Sequence, residues 1–124
     1  MRDFKALKVW QKSHTLTLDV YRVTTRFPRH ELYGLTSQTR RSSMSIPTNL
    51  AEGCGRLGQK ELAYFLQLAI GSANELEYQL LLAKDLGLLE DDVHRGLDER
   101  TCEVRKMLTA FLIKVSREDR VQVR

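Results

Sequence analysis

The sequence predicts an all-α protein, an antiparallel up-down-up-down four-helix bundle with a proline-kinked second helix. Three observations lead there. Apolar residues recur at three- and four-residue steps through most of the 124 positions, the period of one helix face. No run of alternating β-branched residues competes with that period. Breakers fall at Pro28, at Gly53 and Gly55, and at Gly87, leaving four helical segments joined by short connections, which favour antiparallel neighbours. The length suits one domain with its own core: residues 1–117 as the bundle and 118–124 as a charged, frayed tail.

The first helix runs from about Leu7 to Phe27, because a residue before proline avoids the helical conformation. "FPRHELYG" then reads as a loop, and the Thr36 hydroxyl is placed to cap a second helix reaching Ala51 to Cys54. The third helix, from about Gln59 to Leu86, carries Leu62, Leu66, Ala69, Ala73, Leu76, Leu80 and Ala83 on one face. Gly87 ends it by taking positive φ, with Leu88 folding back on the last turn. The fourth helix opens at Glu90-Asp91-Asp92, whose carboxylates suit the positive end of the helix dipole. Leu97, Thr101, Val104, Leu108, Phe111 and Val115 then form its seam.

On a helical projection of the first helix, Val9, Leu16, Val20, Val23 and Phe27 form one apolar stripe. Leu7, Trp10, His14, Leu18 and Tyr21 form a second, with Ser13, Thr17 and Thr24 between the two. That apolar width exceeds one bundle seam, so the second stripe is the candidate oligomer interface. Lys5, Lys8, Lys12, Arg22, Arg26 and Arg29 fill the remaining arc with Asp19. Six cations along about 36 Å of helix are the best candidate for nucleic-acid binding; a solvated helix face is the competing reading.

Residues 1–60 hold eleven Lys/Arg against four Asp/Glu, whereas residues 61–124 hold nine against twelve. The basic half permits an anionic partner such as RNA or DNA, or subunits meeting charge to charge. No apolar run approaches the roughly 18 residues of a membrane span, and the first residues lack a secretion signal's apolar core, so a cytoplasmic protein is expected. Cys54 and Cys102 show no metal-ligand or disulfide spacing.

Within "SIPTNLAEGCGR", Pro47 has no N–H to give the carbonyl of Ser43 and should kink the second helix, with Ser42, Ser43 and Ser45 at hand to bond freed backbone groups. Glu52 can reach Arg56 at the i,i+4 spacing. Gly53 and Gly55 supply an exit by positive φ or by close approach of another backbone. A sharper alternative gives the turn amides, with Arg56 and Lys60, to a phosphate, although neither a Walker loop nor GxGxxG occurs. His14, His30 and His94 lie on separate segments without ligand spacing, and no Glu-x-x-His pair of a di-iron bundle is present. Arg22 and Arg26 each miss by one residue the Arg-x4–6-His spacing to His30 that helical HEPN ribonucleases use. No catalytic residue, metal or cofactor is assigned.

Together with "LKVWQKSHTLTLDVYRVTTRFP", "LYGLTSQTRRSSMSIP" and "GSANELEYQLLLAKDLG", the same stretch resembles the family of 23S rRNA intervening-sequence proteins, also labelled S23 ribosomal proteins, over about residues 3 to 115. The family pattern falls on Gln38, Arg40, Arg41, Pro47, Asn49, Ala51, Glu52, Gly53, Gly55 and Arg56, then on Gly71, Ser72, Glu75 and Gln79. Gly58 and Glu90 depart from it, standing where a Ser often caps a helix. The resemblance implies an up-down bundle assembled as a homopentameric ring, with a non-catalytic, RNA-facing role. A related branch, the accessory proteins of diversity-generating retroelements, binds a reverse transcriptase and nucleic acid. Glu75 and Gln79 lie one turn apart and are expected in a polar network reaching Asn49, Gln38 or the arginines across the bundle. The leading expectation is therefore a ring-forming nucleic-acid module. A protein-protein adaptor without nucleic acid comes second, and a metal- or nucleotide-using enzyme last.

Overall fold

Four helices dominate the computed structural model, which describes residues 2–123: α1 (Lys8–Thr24), α2 (Ser37–Cys54), α3 (Gln59–Asp85) and α4 (Asp91–Val123). There is no strand among the described residues, and the helices form a four-helix bundle. Cross-helix partners ascend on one helix as they descend on the next. Trp10, Thr17 and Thr24 of α1 meet Pro47, Ser43 and Arg40 of α2. Asn74 and Gln59 of α3 meet Arg105 and Glu118 of α4. Among the described residues no helix is long and apolar enough to cross a membrane.

The core follows the apolar periods. Val9, Leu16, Val20 and Phe27 are buried against Ile46 and Leu50 of α2, the Leu62-to-Ala83 face of α3, and Leu97, Val104, Leu108 and Val115 of α4. The connection before α2 is more structured than a loop. A 3-10 turn over Arg29–Glu31 leads into Leu32–Thr36, where the chain kinks at Gly34, whose φ −113° and ψ −112° are not helical. Thr36 is therefore not the cap: its backbone is already helical and its side chain makes no capping bond. The Glu31 carboxylate takes that part upstream by accepting from the Leu35 amide at 3.1 Å. At the end of α3, Gly87 adopts φ +77°, its amide donates to Lys84 and that of Leu88 donates to Ala83, a Schellman exit. The segment expected to fray is helical as far as Val123. No helix breaker precedes it, and Glu118 accepts from both Gln59 and Arg2.

Pro47 sits inside α2, between buried Ile46 and the turn that ends at Leu50. The carbonyl of Ser43, deprived of its i+4 donor by the proline, accepts from the Thr17 hydroxyl of α1 at 2.9 Å. The partner is thus not a neighbouring serine. Thr17 Oγ1 also lies 2.8 Å from the Ser13 carbonyl, so one hydroxyl hydrogen serves two acceptors. Trp10 Nε1 donates to the carbonyl of Pro47 itself at 3.2 Å. Ser13, Thr17 and Thr24, the polar residues between the two apolar stripes, are all buried here, and their small side chains let α1 lie close on α2. Gly53 serves the same end on the other flank. A Cβ there would stand 2.9 Å from that of Phe65 on α3.

Thr17→Val should cost about 1–2 kcal/mol, because it leaves a buried carbonyl unsatisfied. The cost should shrink in a Pro47→Ala background, where residue 47 regains an amide for Ser43. Urea denaturation of the double-mutant cycle measures this coupling, and additive costs would show that the hydroxyl is not serving the proline.

Candidate functional site

The predicted basic arc is divided by carboxylates. Lys12 Nζ meets Glu103 of α4 at 3.1 Å. Arg22 bonds Asp19 at 2.9 Å, and the other oxygen of Asp19 accepts from Arg100 at 2.8 Å. Lys5, Lys8, Arg26, Arg29 and Lys60 are exposed and make no ion pair among the described residues. Lys5 and Lys8 lie near one end of the bundle, Arg26 and Arg29 near the other. Arg56 is spent inside the chain, paired with Glu52 and set over the Phe65 ring at 5.1 Å. The amides of Gly55 and Arg56 donate to Ala51, Glu52 and Gly53 carbonyls. Those two amides are therefore not open to a phosphate, and neither Gly53 nor Gly55 uses positive φ.

The polar residues of the family pattern do not form the expected network. Glu75 is exposed, as are Gln38 and Arg41. Asn49 donates to the carbonyl and hydroxyl of Ser45, and Ser72 donates to that hydroxyl at 2.8 Å. Arg40 bonds the Thr24 hydroxyl and the Tyr21 carbonyl, with its guanidinium 4.9 Å over the Tyr21 ring. Gln79 Oε1 is buried without a partner. Ser45, expected to bond backbone groups freed by Pro47, instead joins Asn49 to Ser72.

The second stripe of α1 is split between the chain's own packing and its surface. Leu7 and Trp10 are half-buried against the core, and the indole lies between Phe4 and His14, each 5.0 Å away. His14, Leu18 and Tyr21 remain exposed. Leu18, Tyr21 and Met44 line one groove between α1 and α2 together with Trp10. Beyond Tyr21 and Met44 the surface continues to Leu32 and Tyr33.

A polar cluster unreadable from local spacing joins α3 to α4. Arg105 donates to Glu77 and to the sulfur of Cys102, and Cys102 lies 3.5 Å from Glu77. Ligand atoms of Glu77, Asp98 and Cys102 fall within 4.8 Å of one another. The guanidinium already supplies their positive charge. Burial, with Glu77 and Asp98 nearby, pushes the Cys102 thiol up, so it is not a poised nucleophile. Hydrogen bonding from Arg105, against a smaller effect of burial, holds Glu77 below the usual carboxylate range. Burial pushes Asp19 up, but Arg100 and Arg22 together outweigh it and hold it low.

A carboxylate depressed in the folded state stabilises it above the unfolded-state pKa, and that stabilisation fades as pH falls through the folded value. Unfolding free energy should therefore drop below about pH 4. In Asp19→Asn/Glu77→Gln that acid loss should be shallower, as read from urea melts at several pH values. Identical acid limbs would mean that solvent screens both pairs.

This arrangement of helices has a solved counterpart. A crystal structure of a protein of unknown function from the S23 ribosomal protein family of Bacteroides thetaiotaomicron superimposes with a TM-score of 0.78 at 21% identity, covering 84% of this chain and 94% of that one. Likeness at that identity shows the fold. No curated protein matches. The model of the 23S rRNA-intervening sequence protein family matches residues 5–110, taking in α1, α2, α3 and most of the α4 seam. The chain belongs to the 23S rRNA-intervening sequence protein family.

Proposed function

We propose that the protein is a non-catalytic, self-associating bundle, a ring of five copies in the favoured form, that holds RNA or DNA on exposed cations in the cytoplasm. The observation that carries self-association is the apolar α1–α2 face, where Leu18, Tyr21, Met44, Leu32 and Tyr33 are 40, 37, 47, 44 and 92% exposed. Exposed apolar residues gathered on one face mark an interaction surface, unlike single ones scattered over a monomer. The cations on and near α1 without an ion pair among the described residues, Lys5, Lys8, Arg26 and Arg29, would repeat around such an assembly and follow a phosphate backbone. The family's name, taken from an rRNA insertion, makes RNA the first polymer to try. No catalytic step is assigned. His14 is stacked on Trp10, and Cys102 is engaged by Glu77 and Arg105.

A protein adaptor without nucleic acid is the second reading. It is favoured by the ion pairs that already occupy Lys12, Arg22 and Arg56.

Light scattering should give a multiple of the 14.4 kDa chain mass. On the same sample, affinity for structured RNA and duplex DNA should fall steeply with salt. Lys5→Glu/Lys8→Glu/Arg26→Glu should weaken binding at all sequences and flatten the salt slope by about one unit per lost phosphate contact. A monomer overturns the ring. Unchanged affinity in the triple variant moves the reading to the adaptor.

A further inference from the structure

α3 carries two seams. Leu62, Leu66, Ala69, Ala73, Leu76 and Leu80 face the core. Tyr64, Leu68, Gly71, Glu75 and Tyr78 repeat the same four- and three-residue steps on the opposite side. Tyr64, Leu68 and Tyr78 are 57, 39 and 62% exposed. Such a repeat suits packing against another helix, and within the described chain none covers it. Gly71 stands at its centre, inside a 27-residue helix. A Cβ there would meet nothing within 4 Å, and its φ is not positive. Neither crowding nor backbone conformation within the chain calls for glycine, a poor residue for a helix interior. Gly96 of α4 is equally open; what sets Gly71 apart is its place at the centre of an exposed apolar repeat, where a missing side chain lets a helix from outside approach closely.

We propose that this α3 seam docks into the α1–α2 groove of a second copy, so that copies join head to tail through two different faces. The inference rests on the self-association proposed above and names its surfaces. Length agrees: Tyr64 to Tyr78 spans about 21 Å of helix, and Trp10 to Tyr21 along the groove about 16 Å, before the extension to Tyr33. Charge agrees as well. Ser72 touches Ser45 within the chain, so Glu75, about one turn further along α3, stands level with Arg41, one turn back on the oppositely directed α2. Both are exposed, and neither has an ion-pair partner among the described residues. A neighbour placed side by side brings Glu75 of one copy to Arg41 of the next. Different faces make the contact heterologous, and heterologous contacts generate rings when the rotation closes.

The test uses full-length protein and light scattering. Gly71→Arg should fold, since its side chain enters open space, and should have the mass of one chain. Leu18→Glu/Tyr21→Glu should also have the mass of one chain. An equimolar mixture of the two should give a two-chain species, because each retains the face the other lacks. Glu75→Arg should weaken assembly and Arg41→Glu in the same chain should restore it, with circular dichroism checking helicity throughout. An assembled Gly71→Arg beside a single-chain Leu18→Glu/Tyr21→Glu overturns the α3 assignment and leaves self-association standing. Two single-chain variants that do not combine overturn head-to-tail pairing in favour of a symmetric contact. A single-chain wild type overturns this inference and the self-association reading together.

Discussion

One missing amide hydrogen sets how the first two helices meet. Pro47 withdraws the donor that Ser43 would have received, both residues being buried, and a buried carbonyl without a partner costs free energy comparable to a lost hydrogen bond. The compensating donor comes from another helix. Thr17 can reach only if the two backbones approach closely, so the residues beside it along α1 must be small and must satisfy their own hydroxyls. Ser13 and Thr24 do so by donating to Trp10 and Val20 carbonyls. That contact also fixes the rotation of α1 about its axis. Val9, Leu16 and Val20 point inward, while Leu18 and Tyr21 are left on the outer lip beside Met44. The exposed groove is therefore a consequence of how α1 is seated.

Much of this is legible in the sequence. The periods of α3 and α4, the glycine exit at Gly87 and the burial of Val9, Leu16, Val20 and Phe27 follow from local patterns that the bundle has no reason to override. What was not legible depended on partners distant in sequence. Nothing local says that Thr17 rather than Ser42 or Ser45 answers the proline. The network expected around Glu75 failed for the same reason: both its members and its orientation depend on how α2 and α3 are rotated against each other. There the compact hydroxyls of Ser45 and Ser72 fill the contact, leaving Glu75 outside.

Charge shows how an even-looking stripe becomes uneven in three dimensions. A helix projection counts six cations on and beside α1, of which only Lys8, Lys12 and Arg22 lie within α1. It does so without seeing α4, which brings Glu103 to Lys12 and Arg100 to Asp19. The middle of the arc is thereby used to hold α1 on α4, and its ends keep their net positive charge. Each exposed pair is worth little by itself. Their larger effect is on the surface field, because an ion-paired lysine releases fewer counterions to a polyanion than a free one. A polymer crossing this face would meet positive charge at the two ends of the helix, separated by a nearly neutral middle.

The two apolar seams of α3 carry the same lesson from packing. A periodicity reading assigns each helix one buried face and stops there, since the strongest stripe explains why the helix is in the bundle. Tyr64, Leu68 and Tyr78 make a weaker stripe, broken by Gly71 and Glu75, that resembles an ordinary solvated face when residues are counted singly. Structure changes its weight by showing that Gly71 answers no demand within the chain and that Glu75 has no intrachain charge partner among the described residues. A groove on one side of α2 and a notched ridge beyond it are the two halves of a contact that a single chain cannot make with itself.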